Sequence, residues 1–86
     1  MSGLREKFGN RLKNLRSARK MSQEEFSELL GISVDFLSLI ERGINAPSFE
    51  NLEVFSTQLG IPVHELFVFD LPDTAADIPQ SDKRSL

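Results

Sequence analysis

Cysteine is missing from the sequence. Its absence excludes disulfides and thiolate metal sites and fits a reducing compartment. No apolar run approaches the roughly 20 residues needed to span a bilayer. The opening MSGLREKFGNRLK interrupts any apolar stretch with charge, so no secretory signal is expected. The one histidine, His64, stands beside Glu65; a lone imidazole is expected to be solvated or structural rather than catalytic or metal-binding. Glycine-rich phosphate loops, paired catalytic carboxylates and nucleophile–base pairs are not recognisable. The expectation is a cytoplasmic protein that is not an enzyme, with no cofactor, no metal and no membrane partner.

What is present suits one small domain. The chain has 86 residues, 40% of them hydrophobic, enough for a thin core. The net charge of −3 is unevenly spread. Residues 1–20 hold seven bases (Arg5, Lys7, Arg11, Lys13, Arg16, Arg19, Lys20) against the single acid Glu6. Residues 21–86 hold three bases and twelve acids. A basic segment on an acidic body can face phosphates, although a solvated amphipathic helix explains the same charges.

Helical spacing recurs and strand alternation does not, so the class is all-α. Leu4, Phe8, Leu12 and Leu15 form one apolar stripe and predict a first helix over about residues 4–19. Ser22 and Glu25 form an S-x-x-E capping box that starts a second helix, which Gly31 stops. Ser33 caps a third helix ending near Gly43. Ser48 caps a fourth through Leu59, and Pro62 introduces a short fifth over about residues 63–67. The domain is expected to occupy residues 1–69. Residues 70–86, DLPDTAADIPQSDKRSL, read as an acidic, proline-containing and flexible C-terminal tail.

The second and third helices are separated only by Gly31-Ile32-Ser33. Around that turn, a small residue (Ser27), the glycine and apolar Phe26, Leu30, Ile32, Leu37 and Ile40 have the spacing of a helix-turn-helix. At 100° per residue, Phe36, Leu37 and Ile40 share one side of the third helix. Val34, Asp35, Ser38, Leu39 and Arg42 share the other.

The stretches QEEFSELLGISVDFLSLIERG and NAPSFENLEVFSTQLGIP resemble the XRE family, the Cro- and lambda-repressor-like regulators of bacteria and phage. The resemblance covers about residues 8–67. It implies a five-helix DNA-binding domain, commonly dimeric, acting on operator DNA. By the same resemblance, Val34, Asp35, Ser38 and Leu39 face base edges. Gln23, Arg42 and Asn45, with first-helix bases such as Arg16 and Arg19, contact phosphates. Gln23 also braces the recognition helix, and Arg16 with Glu41 forms a partly buried ion pair. Two departures stand out. Many relatives have arginine, lysine or glutamine where this chain has Leu39 and a polar residue where it has Val34. No base-facing position therefore grips a purine in bidentate fashion, leaving Val34 and Leu39 for thymine methyls and Asp35 for cytosine N4. Lys20 also stands where relatives often have glycine, which predicts strain in that turn.

Simpler readings stand beside these. Asp35 suits any first helical turn and Arg42 any last one, through the helix dipole. Val34 and Leu39 equally fit an apolar patch for a protein partner. Phe55, Val63, Phe67, Val68 and Phe69 form either a two-fold homodimer interface or a core packed by the tail. A dimer would set its recognition helices about 34 Å apart, one DNA turn. The expected function is a homodimeric, sequence-specific transcriptional regulator on a pseudo-palindromic operator, with RNA polymerase or another regulatory protein as a further partner. The alternative is an antitoxin-like protein-interaction module of the same fold.

Overall fold

The computed structural model describes residues 3–69. Its helices are α1 (Leu4–Ala18), α2 (Gln23–Leu30), α3 (Val34–Glu41) and α4 (Phe49–Leu59). Ser22, Ser33 and Ser48 precede α2, α3 and α4 in extended backbone, and each hydroxyl accepts the N–H three residues on. These bonds satisfy donors that a helix start otherwise leaves open. The expected box at α2 is closed by Ser22 N–H donating to the Glu25 carboxylate at 2.9 Å. Two related contacts escape the S-x-x-E pattern. Glu6 accepts the Gly3 N–H at 2.7 Å, and the Asn51 side chain accepts the Ser48 N–H at 3.0 Å.

One architectural expectation is corrected. There are four α-helices among the described residues, not five; the fifth segment, Val63–Phe67, is a 3-10 helix. Its Glu65 N–H donates to the Pro62 carbonyl at 2.9 Å, three residues back. A five-residue segment has little room for i→i−4 bonds, and the tighter turn serves as a short connector. The sequence beyond Phe69, including the expected tail, lies outside the described residues.

The core unites all five segments. Phe8 and Leu12 of α1 meet Phe26 and Leu30 of α2, Leu37 and Ile40 of α3, Leu52, Phe55 and Leu59 of α4, and Leu66 of the 3-10 helix. Two residues depart from expectation. Phe55, placed in a dimer interface by the sequence reading, is fully buried and belongs to this core. Leu4, placed in the α1 stripe, is exposed at the first position of its helix. Helix α1 packs against α3 and the 3-10 helix, and α2 packs against α3 and α4. The recognition segment is therefore held from two sides.

Candidate nucleic-acid interface

The turn between α2 and α3 depends on Gly31, which adopts φ 74° at the end of α2. A side chain is disfavoured there, whereas glycine adopts it freely. The Ile32 N–H returns to the Ser27 carbonyl at 3.0 Å, and Ser33 immediately caps α3. Ser27 is buried, with its hydroxyl donating to the Glu24 carbonyl at 2.9 Å. A small side chain that satisfies its own polar group allows α2 to sit close against its neighbours.

Helix α3 is thereby divided lengthwise. Leu37, Ile40 and Glu41 are buried and Phe36 is packed partly against the core. Asp35 and Arg42 are exposed, and Val34, Ser38 and Leu39 are half-buried. At 100° per residue these last five share an arc of about 140° pointing away from the core. None of the side-chain polar groups of Asp35, Ser38 and Arg42 has a hydrogen-bond or ion-pair partner among the described residues. After α3 the chain folds back, with the N–H groups of Ile44 and Asn45 donating to the Leu39 carbonyl at 2.9 and 3.2 Å. Asn45 is exposed beside the end of the recognition helix.

The orientation of α3 is set by a buried carboxylate. Glu41 accepts Arg16 Nε at 2.8 Å and Nη2 at 3.1 Å, and it accepts Gln23 Nε2 at 2.9 Å. Arg16 Nη1 also donates to the Met21 carbonyl at 3.0 Å. The Glu41 hydrogen bond raises the Arg16 pKa above its ordinary value, against the opposing effect of burial. The guanidinium therefore keeps its proton, and α1, α2 and α3 are joined by one charge-assisted network. Gln23, the first residue of α2, is thereby tied to the last residue of α3.

Three expected site residues are placed differently. Arg16 is committed to Glu41 and Met21, and its side chain is only 16% exposed. Arg19 donates to the Leu59 carbonyl at 3.0 Å, capping the end of α4. Both guanidinium groups thus have partners within the domain. Arg11 is committed as well, through Glu65, whose backbone carbonyl it meets at 3.0 Å. Three of the seven early bases thus tie helices together, a role that charge counting does not distinguish from solvent-facing charge. Phe55 leaves the interface set for the core, whereas Val63, Phe67 and Val68 are exposed and Phe69 packs partly against the core.

Phe49, which no sequence motif singled out, is 84% exposed at the start of α4. Its phase provides a signal: it lies about 90° from the centre of the Leu52–Phe55–Leu59 stripe. Leu4, Phe8, Pro47, Leu52 and Phe67 form an apolar groove beside it, of about 380 Å³. His64 is exposed, 3.7 Å from Glu65. Among the described residues no His, Cys, Asp and Glu cluster could hold a metal ion, and no helix is long and apolar enough to cross a membrane.

The sequence profile of the helix-turn-helix family matches residues 12–66, spanning the capped pair and the scaffold around it. Control protein C.MunI from Mycoplasma sp is 40% identical over 68 residues, covering 78% of this chain and 92% of that protein. The HTH-type transcriptional regulator DdrOP3 of Deinococcus deserti is 36% identical over 77 residues, covering 86% of this chain and 60% of that protein. The crystal structure of the restriction-modification controller protein C.AhdI from Aeromonas hydrophila superposes with a TM-score of 0.68 at 38% identity. That match covers 73% of this chain and 96% of the other.

Proposed function

The chain belongs to the helix-turn-helix family of XRE type, a family of DNA-binding transcriptional regulators, and from that premise we propose that it binds a pseudo-palindromic operator as a homodimer. The observation that carries this reading is the outward α3 face, on which the polar groups of Asp35, Ser38 and Arg42 have no partner among the described residues. In the major groove, Val34 and Leu39 meet thymine methyls, Ser38 offers a versatile hydroxyl and Asp35 accepts from cytosine N4. Arg42, Asn45 and the second amide hydrogen of Gln23 grip phosphates, setting register without reading sequence. Similarity over nearly the whole length of two control proteins supports the restriction-modification controller type.

For the homodimer, Phe49 joins Val63, Phe67 and Val68 as the apolar face, in place of Phe55. One such domain reads few base pairs, and two-fold pairing doubles the site. A second reading, a protein-binding module, is favoured by the aliphatic Val34 and Leu39 on the outward face.

Selection from a pool of random duplexes, followed by anisotropy across a salt series, separates the two. A regulator enriches a two-fold-repeated motif and binds it with a steep salt dependence. Arg42→Ala is expected to weaken binding to every duplex and flatten that slope. Absence of any enriched motif, with Arg42→Ala indistinguishable from wild type, would overturn the regulator in favour of the protein-binding module.

A further inference from the structure

The four early bases without a partner among the described residues are Arg5, Lys7, Lys13 and Lys20. Lys13 differs from the other three in its surroundings. It lines a polar cleft of about 420 Å³ between α1 and the end of α3, together with Glu6, Asn10, Glu41 and Arg42. Two cations therefore flank one concavity, one on the scaffold helix and the other at the end of the recognition helix. The two acids in the wall are already engaged. Glu41 is held by Arg16 and Gln23, and Glu6 accepts the Gly3 N–H. With Glu41 offset by Arg16 and only Glu6 remaining against Lys13 and Arg42, the cleft keeps a positive balance. Asn10 adds an amide donor, exposed and without a partner among the described residues.

We propose that this cleft seats one phosphate of the operator backbone, held by Lys13 and Asn10 from α1 and by Arg42 just past the end of α3. The inference rests on the DNA-binding reading and adds α1 to the grip in a specific way. Lys13, rather than Arg16 or Arg19, is the first-helix base that meets DNA. A phosphate shared by two helices fixes the tilt of α3 in the groove as well as its depth. A flexible ammonium suits this role, because it follows a point charge without demanding a planar bidentate partner.

The test compares Lys13→Gln, Lys13→Arg, Asn10→Ala and Lys7→Gln on one selected duplex across a salt series. Lys7 is the control: it is also on α1, but it lines a different cleft, with Asn10, Arg11, Asn14 and Phe69. Lys13→Gln is expected to lower the slope of log affinity against log salt by about 0.9 for each bound protomer. It should weaken binding several-fold on all duplexes without changing base preference, leave the melting temperature alone, and be rescued by Lys13→Arg. Asn10→Ala should weaken binding less and leave the slope unchanged, because it removes no charge. Ethylation interference should show one phosphate per half-site whose sensitivity falls in Lys13→Gln and is unchanged in Lys7→Gln. Equal slopes for Lys13→Gln and Lys7→Gln would overturn the cleft as a seat, even where Arg42→Ala still weakens binding. If the wild-type protein shows no salt-dependent binding to any duplex, the DNA-binding reading fails and this inference fails with it.

Discussion

The carbonyl oxygen of Ile40 occupies the space where a side chain on Gly9 would begin. A Cβ built on Gly9 collides with that oxygen and lies 2.9 Å from the Glu41 carbonyl oxygen. Helix α1 thus carries a buried glycine where it lies against the backbone of the recognition helix, although glycine in a helix interior costs about 1 kcal/mol relative to alanine. Gly9→Ala is expected to destabilise the domain by about 1–3 kcal/mol, since backbone rather than a yielding side chain must move. DNA affinity should fall with it, because α3 is displaced. Urea denaturation and anisotropy check both. A gain in stability, as helix propensity alone requires, would show that the two helices separate at no cost.

Removing one side of the Arg16–Glu41 pair leaves a buried charge or acceptor without its partner. Arg16→Met alone is expected to cost about 3–5 kcal/mol. The double change Arg16→Met with Glu41→Leu should recover much of that loss, because no charge remains to be compensated. A double-mutant cycle in urea measures the coupling. Simple additivity of the two single changes would mean that the network does not act as a unit.

Phe49 and Phe55 lie six positions apart on α4 and should respond oppositely to truncation. Phe55→Ala removes a fully buried ring and is expected to cost about 3–5 kcal/mol. Phe49→Ser should leave the melting temperature of the monomer near its original value while weakening self-association. Analytical ultracentrifugation over a concentration series reads the second effect. An unchanged dimer constant in Phe49→Ser would remove this residue from the two-fold interface.

Lys20 has φ 58°, the one positive value outside glycine among the described residues. A side chain in this conformation costs about 1–2 kcal/mol, and glycine's greater unfolded-state freedom takes back roughly half of any relief. Lys20→Gly is expected to stabilise the domain by about 0.5–1 kcal/mol, or a few degrees in melting temperature. Because the Lys20 ammonium has no partner among the described residues, a loss of stability would show that the turn gains more from the lysine than its backbone suggests.

Much of the helical framework was legible in the residues alone. Ser22, Ser33 and Ser48 mark helix starts, and Gly31 and Gly60 mark ends in left-handed backbone, because these signals act within one turn of chain. The divided faces of α3 follow from its 100° periodicity in the same way. The tertiary structure decided what becomes of side chains that look alike in one dimension. Arg11, Arg16 and Arg19 share a basic stretch with Lys13, yet these three find partners in Glu65, Glu41 and the end of α4. Phe49 and Phe55 share a helix and a chemistry, yet one is 84% exposed and the other completely buried. Local periodicity determines the direction in which a side chain leaves its helix. Whether it meets a partner, the core or solvent depends on segments brought alongside from elsewhere in the chain.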